Sequence, residues 1–139
     1  MTIALANLAY DLRVACQQVS RRVRFEPNAE IAPHQSSVLF HLAHGPLTPG
    51  ELAEAEKVSA PSMTRTLNCL VDRQLVERTD HPTDGRSKLL TLTGEGRATL
   101  KRVQRARDTW MYDKLKGLSE DELEVLQRAS ALLREKVLA

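Results

Sequence analysis

The sequence predicts a mainly α-helical fold that carries one small β-hairpin. Apolar residues recur every three or four positions over most of the 139 residues, which is the period of a helix buried on one side. The pattern changes where residues 76–79 and 88–92 have the composition of strands and flank a tip containing Pro82 and Asp84-Gly85. A chain of this length is expected to form a single domain, residues 1–139, with a core of its own.

Prolines and a glycine bound the first two predicted helices. The first covers residues 3–25 and stops before Pro27, and residues 26–32 connect it to the second. Pro33 occupies a first helical position, and the short helix that it opens ends at Gly45. The first helix has one apolar stripe, which consists of Leu5, Leu8, Leu12, Ala15, Val19 and Val23.

Polar capping residues mark the starts of the remaining helices, at Thr48, Ser59, Thr93 and Ser119. Thr48 and Glu51 have the spacing of a capping box, in which each side chain accepts the backbone N–H of the other residue. Ser119 and Glu122 repeat this spacing. The four helices are expected over residues 48–57, 62–74, 93–116 and 119–138. The last has an apolar stripe that includes Leu123, Leu126, Leu133 and Val137.

The centre of the chain has the order of a helix-turn-helix followed by a β-wing. The helices over residues 48–57 and 62–74 are separated by a short turn, and the hairpin follows them. This arrangement places the second helix in the major groove of DNA. The residues predicted to face the core from that second helix lie within about 100° of one another, and they are Met63, Leu67, Leu70 and Val71.

The opposite side of the second helix carries polar residues that could contact DNA. This side comprises Pro61, Ser62, Arg65, Asn68, Cys69 and Asp72, with Thr64 at its flank. Arg65 and Asn68 are the residue types that read guanine and adenine edges, respectively, in the major groove. Ser62 and Thr64 lie near the helix start, from which they could reach a phosphate or a base. The alternative is that this is the solvated face of an ordinary amphipathic helix.

The segment LTPGELAEAEKVSAPSMTRTLNCLVDRQLVERTDHPTDGRSKLLTLTGEG, residues 47–96, resembles the MarR family of bacterial transcriptional regulators. The most specific matches are PSMTRTLNCL in the second helix and DGRSKLLTLTGEG, which fits the Asp-x-Arg wing of the family followed by Leu-Thr-x-x-Gly. The flanking helices follow in the same order, so the resemblance extends over nearly the whole chain. It implies a winged helix-turn-helix lobe over residues 31–96, flanked by dimerisation helices over residues 1–25 and 97–139.

The resemblance also implies a function and roles for the wing residues. It predicts a transcriptional regulator, acting as a repressor, that binds a palindromic site in double-stranded DNA as a homodimer. Arg86 corresponds to the arginine that the family inserts into the minor groove, where negative potential attracts a guanidinium. Asp84 is expected to hold the Arg86 side chain through a charge-assisted bond. Lys88 and Arg78 are candidates for phosphate contacts.

Two positions depart from the pattern of the family. Gln74 stands where a glycine is usual, between the second helix and the first wing strand, so it is expected in a left-handed conformation that costs roughly 1 kcal/mol. Cys69 stands where a second basic residue is common, which makes the predicted base contacts less transferable.

In many members of the family, a small ligand binds where the dimer helices meet the DNA-binding lobes and releases the DNA, so a small-molecule effector is a further candidate partner. Trp110 and Tyr112 are interpreted either as core or interface anchors or as lining of a ligand pocket. Four basic residues could favour an anion or simply lie on a solvated face, namely Arg21, Arg22, Arg24 and His41.

Other functions find less support in the sequence. A redox switch would need an accessible cysteine of low pKa; Cys16 lies on the apolar stripe and is expected to pack, whereas Cys69 is expected to face outward near the DNA. A protein-interaction module is the remaining alternative for the winged lobe. The sequence has no nucleophile elbow, phosphate-binding glycine loop or recognisable carboxylate pair, so we expect neither an enzyme nor a cofactor. The four histidines lack the spacing of a metal site.

Composition favours a cytoplasmic protein. No apolar run approaches the roughly 20 residues that span a bilayer, so no membrane association is expected. The first residues lack a basic region and include Asp11, which is unlike a signal peptide. The two cysteines are far apart and indicate no disulfide framework. The net charge of +2 says little about partners, although residues 97–116 carry a local excess of five positive charges.

Overall fold

The computed structural model describes residues 2–27 and 30–139. These residues form six α-helices, one two-stranded antiparallel sheet and a terminal π-helical turn. In chain order the elements are α1 (Leu5–Phe25), α2 (Pro33–Leu42), α3 (Pro49–Glu56), α4 (Ala60–Asp72), β1 (Val76–Asp80), β2 (Lys88–Leu92), α5 (Gly94–Leu115), α6 (Glu120–Leu132) and the turn Leu133–Val137. The mainly helical class with a small wing is confirmed. The predicted connection over residues 26–32 includes Asn28 and Ala29, which lie outside the described residues.

One hydrophobic core joins α2, α3, α4, the hairpin and the first half of α5. Its fully buried aliphatic side chains include Val38, Leu39, Leu42, Leu52, Leu67, Leu70, Val76 and Leu90. Leu90 also pairs with Leu47 through two backbone hydrogen bonds of 3.3 and 2.8 Å, which tie the segment before α3 to the wing. The core therefore fixes α3, α4 and the hairpin relative to one another, as a helix-turn-helix with a wing requires.

The predicted capping residues are confirmed at all four helices. The hydroxyls of Thr48, Ser59, Thr93 and Ser119 each accept a backbone N–H from the first turn. Glu51 and Glu122 return the interaction by accepting the backbone N–H of the capping residue at 3.0 and 2.9 Å. These local bonds satisfy donors that a helix start leaves without partners.

Two residues adopt the left-handed conformation at the joints around α4. Gln74 has φ 63°, as predicted, and the following N–H of Leu75 bonds the carbonyl of Leu70 at 3.0 Å to close the end of α4. Lys57, at the end of α3, has φ 57°, a left-handed conformation that was not predicted from the sequence. Each joint lets the chain turn sharply, so that α4 is held between the turn that precedes it and the wing that follows it.

The outer helices expose their apolar sides in the single chain. Neither α1 nor α6 contributes a buried residue, and several of their large apolar side chains are exposed, among them Leu5, Leu8, Leu12, Val19, Val125, Leu126 and Leu132. The expectation that Cys16 packs is wrong for the isolated chain, because Cys16 is exposed on this uncovered helix.

The end of the last helix differs from its prediction. A continuous α-helix was expected to residue 138, but the α-helix stops at Leu132 and a π-helical turn follows. In this turn the N–H of Leu138 bonds the carbonyl of Leu133 at 2.9 Å. The wider turn changes the helical spacing, and Val137, which was expected to share the stripe of Leu133, is 64% exposed. Within the described ranges, no helix combines the length and the apolar content needed to cross a membrane.

Candidate nucleic-acid interface

The orientation of α4 is fixed by its buried side. Met63, Leu67 and Leu70 are buried in the core, as predicted, and the half-buried Val71 packs against it. The residues on the other side are therefore held towards solvent. Thr64, Arg65 and Asn68 are exposed, and Ser62 is half-buried at the start of the helix.

The polar residues near the start of α4 are already hydrogen-bonded in the unbound chain. The Nη2 atom of Arg65 donates to Oγ of Ser62 at 3.0 Å, which directs the guanidinium along the helix towards its N-terminus. Thr64 donates its hydroxyl to the carbonyl of Ala60 at 3.0 Å and keeps acceptor capacity. Arg65 retains further N–H donors for a guanine edge or a phosphate.

The wing is a regular hairpin with a structured tip. Val76 pairs with Leu92 and Asp80 with Lys88, so β1 is one residue longer than the predicted strand. At the tip, Oδ1 of Asp84 accepts the backbone N–H of Arg86 at 3.0 Å, and Oδ2 accepts the hydroxyl of Ser87 at 3.2 Å.

This geometry corrects the predicted role of Asp84. The carboxylate bonds the backbone of Arg86 and the Ser87 side chain instead of the Arg86 guanidinium that the sequence analysis paired with it. Asp84 therefore shapes the turn. Aspartate commonly does so when its side chain accepts the backbone N–H of the residue two positions later. Arg86 itself is exposed at the tip.

Lys88 is engaged within the hairpin. Its ammonium forms an ion pair with Asp80, its partner on the opposite strand. The hydrogen bond from Lys88, reinforced by its charge, lowers the pKa of Asp80. Because Asp80 partly neutralises it, Lys88 offers a phosphate less net charge than Arg86 does.

An unpredicted bond links the wing to the recognition helix α4. The Nη2 atom of Arg78 on β1 donates to Oδ1 of Asn68 on α4 at 2.5 Å. This pair was not predicted from the sequence, in which ten positions separate the two residues. The signal that could have joined them is the period of the strand. Arg78 lies on the same face of β1 as Val76, which is buried in one core with Leu67 and Leu70 of α4.

A basic groove lies between α3, α4 and the wing. It has a volume of about 520 Å³, and Thr48 and Thr64 line one side while Arg78, Arg86 and Lys88 line the other. The structure thus brings the wing cations and the start of the recognition helix to one open concave surface. Cations beside a helix that is exposed on its polar side can accommodate a phosphate backbone.

Cys69 does not face outward as predicted. It is half-buried, and its Sγ accepts a hydrogen bond from Nε2 of Gln35 on α2 at 3.3 Å. It lines a cavity of about 500 Å³ between α2 and the flank of α4. Arg24 and Glu56 line this cavity too, and so do Ser62 and Arg65, two of the predicted DNA contacts. Oε1 of Glu56 is enclosed there without a hydrogen-bond partner among the described residues, 3.8 Å from Nε2 of His41.

The two aromatic candidates for a ligand site, Trp110 and Tyr112, lie away from this cavity. Trp110 is half-buried beneath the ammonium of Lys114, 5.3 Å from its ring centroid, whereas Tyr112 is 68% exposed. Neither aromatic residue lines the cavity between α2 and α4. Of the four basic candidates, Arg24 lines this cavity, whereas the guanidinium of Arg22 pairs with Glu26 at 2.9 Å.

A recognition helix with an exposed polar side, joined through a left-handed turn to a hairpin that carries an arginine at its tip, defines a winged helix-turn-helix protein. Residues 30–87 match the sequence profile of the MarR family. An uncharacterised HTH-type transcriptional regulator of Mycobacterium leprae, ML2140, is 38% identical over 134 residues, which cover 95% of this chain and 94% of that protein. The regulator TcaR of Staphylococcus aureus is 30% identical over 78% of this chain and 73% of its own length.

The solved structure of apo MarR from Escherichia coli has the same architecture, with a TM-score of 0.75, 29% identity and coverage of 100% of this chain and 99% of MarR. The chain belongs to the MarR family of helix-turn-helix transcriptional regulators. The family and these relatives are DNA-binding regulators of transcription and not enzymes.

Proposed function

We propose that this protein is a cytoplasmic repressor that binds a palindromic operator in double-stranded DNA as a homodimer. The observation that carries the proposal is the common groove of α4 and the wing. In this groove three exposed cations of the wing, Arg78, Arg86 and Lys88, lie beside Thr64 of the recognition helix. Such a surface fits one half of a DNA site, with the helix in the major groove and the wing beside it.

Each residue of the interface has a separate proposed role. Arg65 and Asn68 read base edges, because their side chains are exposed on the outward side of α4. Arg86 enters the minor groove from the wing tip. Residues that position the protein on the phosphates, or shape the wing for that purpose, are Ser62, Thr64, Asp84 and Lys88.

The proposed homodimer would cover the apolar sides of the outer helices. Large apolar residues of α1 and α6 are exposed in the single chain, including Leu5, Val125 and Leu132, which are 78, 64 and 56% exposed. A soluble chain gains by burying such stripes, and a two-fold interface would present two recognition helices on one side. A palindromic operator matches that symmetry.

The proposed release of DNA by a small effector draws on the cavity between α2 and α4. Residues from α1, α2, α3 and α4 line this cavity, among them Arg24, Gln35, Glu56 and Arg65. A molecule that fits it better in one orientation of α4 than in another would shift the protein towards that orientation. Coupling to DNA then follows if the two orientations bind the operator differently.

The first experiment selects bound sequences from a random duplex pool and measures affinity for the selected site and for a scrambled duplex at several salt concentrations. We expect a palindromic site, a preference of at least about a thousandfold and an affinity that falls steeply with salt. Arg65→Ala should reduce the preference. A protein that binds neither duplex would favour the interaction-module alternative, and repression would then have no basis.

A further inference from the structure

His81 lies at the base of the wing tip, directly after β1, and its ring bonds the backbone of the turn. The Nδ1 atom accepts two backbone N–H groups, from Thr83 at 3.2 Å and from Asp84 at 3.1 Å. The backbone N–H of His81 donates to the carbonyl of Ser87 at 3.3 Å on the other side of the tip. His81 therefore contacts both halves of the turn that presents the wing arginine.

These bonds determine the protonation state of the ring. A backbone N–H can only donate, so Nδ1 must have its lone pair, and an imidazole nitrogen has only one. The ring is therefore neutral, with its proton on Nε2. A second proton would occupy the lone pair that Thr83 and Asp84 share. The Thr83 hydroxyl, 3.4 Å from Nδ1, could accept from a protonated ring, but the two backbone N–H groups could not.

Asp84 connects the ring of His81 to Arg86. The N–H of Asp84 donates to His81, while its Oδ1 accepts the N–H of Arg86 at 3.0 Å and its carbonyl accepts the N–H of Ser87 at 3.1 Å. His81 thus holds the backbone of the residue whose carboxylate holds the backbone of Arg86. Loss of the bonds to Nδ1 lets the tip rotate, and the direction of the Arg86 side chain is then no longer fixed.

The charged groups around His81 belong to α3 and to the hairpin itself. The backbone N–H of Thr48 lowers the pKa of Glu51 most, and the charge of His81 lowers it further, so Glu51 at the start of α3 lies near the ring. The charged residues of the hairpin next to the tip are Asp80, Asp84, Arg86 and Lys88. Glu51 favours a proton on His81 and the hairpin cations oppose it, but none of these groups replaces the acceptor that the two N–H groups would lose.

We propose that His81 is a positioning residue for Arg86, which orders the wing tip only as the neutral imidazole and so makes DNA binding by the wing weaken as pH falls. The inference rests on the proposed DNA-binding function and deepens it by naming a residue that regulates the wing. Imidazoles gain their second proton between about pH 8 and pH 5. Because only the neutral ring has the acceptor, the ordered tip is present at the top of this range and is lost towards the bottom.

The first experiment follows the free protein by NMR and does not depend on DNA. At about pH 8 the ¹⁵N shifts of His81 should show an unprotonated Nδ1 and a protonated Nε2. As pH falls to about 5.5, the amide resonances of Thr83, Asp84 and Arg86 should move together with the titration of the His81 ring. In His81→Asn these resonances should not follow pH, because an amide oxygen can accept the same N–H groups and does not titrate.

The second experiment compares the operator affinity of the wild type and His81→Asn over the same pH range. The two should bind alike at the high end, and at the low end the wild type should bind more weakly by about fivefold per wing, as expected for one net hydrogen bond. A proton on His81 also adds a charge that attracts phosphates. The comparison is therefore made at the highest salt at which the operator still binds, where an exposed charge is screened.

Two further variants separate the role of His81 from general effects of pH. His44→Asn is the matched control, because Nδ1 of the exposed His44 faces the Phe40 carbonyl at 3.1 Å and keeps that contact when protonated, so this variant should retain the wild-type pH profile. If His81 acts through Arg86, the pH difference between His81 and His81→Asn should disappear in an Arg86→Ala background.

Several outcomes would overturn the inference. They are a neutral His81 ring protonated on Nδ1, tip amide resonances that do not follow the ring, a wild-type affinity that does not fall relative to His81→Asn, and a pH difference that persists without Arg86. A wild type that binds no selected duplex better than a scrambled one would instead overturn the proposed function. The NMR titration would then still show whether His81 orders the tip.

Discussion

Gly96 lies so close to the backbone of Leu75 that a Cβ added to it would fall 2.0 Å from the Leu75 carbonyl oxygen. The same carbonyl accepts the N–H of Thr93 at 3.2 Å, and the hydroxyl of Thr93 donates to the carbonyl of Gln74 at 2.6 Å. The start of α5 is therefore in direct backbone contact with the left-handed joint between the recognition helix and the wing. Any side chain at position 96 would push these elements apart.

Gly96→Ala should lower the free energy of unfolding by about 1–3 kcal/mol or more, because the added methyl group meets backbone that cannot move aside cheaply. Gly94→Ala is the matched control, since nothing lies within 4 Å of a Cβ at that position in the same helical turn. Urea denaturation of both variants gives the comparison. Equal stabilities for the two variants would show that α5 can shift without cost.

The capping box of α3 gives a pH-dependent prediction. The backbone N–H of Thr48 donates to the Glu51 carboxylate, which lowers the pKa of Glu51 from its ordinary value of 4.5. A carboxylate with a lowered pKa stabilises the fold above its unfolded pKa, and this contribution disappears as pH falls through the folded value. The melting temperature should therefore decline below about pH 4.5, and Glu51→Gln should make that decline shallower.

Thr48→Ala removes the other half of the same capping box. It should lower the free energy of unfolding by about 1 kcal/mol at neutral pH, because the N–H of Glu51 loses its acceptor. Thermal melts at pH 7 and pH 3 separate the contribution of the Thr48 hydroxyl from that of the Glu51 carboxylate. A Glu51→Gln variant whose pH profile coincides with that of the wild type would contradict the contribution assigned to the carboxylate.

The features that could be predicted from the sequence are those set by neighbouring residues. Thr48, Ser59, Thr93 and Ser119 cap helices through bonds that span three residues, so the local sequence contains all the information needed. The left-handed Gln74 was predicted from the family resemblance, because members of the MarR family usually have a glycine at this position. The first strand of the hairpin is one residue longer than predicted, because Asp80 also pairs with Lys88.

The features that could not be predicted depend on tertiary contacts. Cys69 bonds Gln35 across 34 positions, and Arg102 bridges to Glu30 across 72 positions. A helical period places Cys69 on the outward side of α4, but the period contains no information about α2, which covers that flank. The pairing of Arg78 with Asn68 was missed for the same reason, although both residues had been considered as DNA contacts.

The proposed dimer predicts a sedimentation mass of about twice the 15.6 kDa of one chain at micromolar concentration. Leu126→Lys should shift the protein towards monomer, because it places a charge on the exposed apolar side of α6. Gln104→Lys, at an exposed polar position of α5, is the control for added charge. Deletion of residues 1–20 should reduce solubility or folding. A stable monomer that binds a half-site with full affinity would contradict the dimer.

Arg65→Ala should cost about 1–3 kcal/mol on the selected operator and relax the base preference at one position in each half-site. The physical reason is that a guanidinium can donate to O6 and N7 of guanine together. Equilibrium binding to the selected duplex and to its single-base variants measures both effects. If the loss is the same on selected and scrambled duplexes, Arg65 contacts phosphate and does not read a base.

Arg86 should strengthen DNA binding through the attraction between its charge and the surrounding phosphates. If each wing inserts its arginine into the minor groove, Arg86→Ala should lower the magnitude of the salt slope by about 0.9 per subunit, or nearly two units for the dimer. Arg86→Lys should recover only part of the affinity, because an ammonium is more strongly hydrated than a guanidinium. Lys88→Met is the matched control for charge. Its slope should change less, because the Lys88 ammonium already pairs with Asp80.

The predictions for Asp84 and Arg86 are linked, because the Asp84 carboxylate accepts the backbone N–H of Arg86 at the wing tip. Asp84→Asn should bind nearly as well as the wild type, since an amide oxygen can still accept the N–H of Arg86 that Asp84 accepts at 3.0 Å. Asp84→Ala removes the acceptor and should reproduce part of the Arg86→Ala defect. The decisive measurement is a salt titration of the wild type, Asp84→Ala and Arg86→Ala on one operator. Identical slopes and affinities for all three would mean that Arg86 remains in solvent and that the wing is a structural hairpin without a DNA contact.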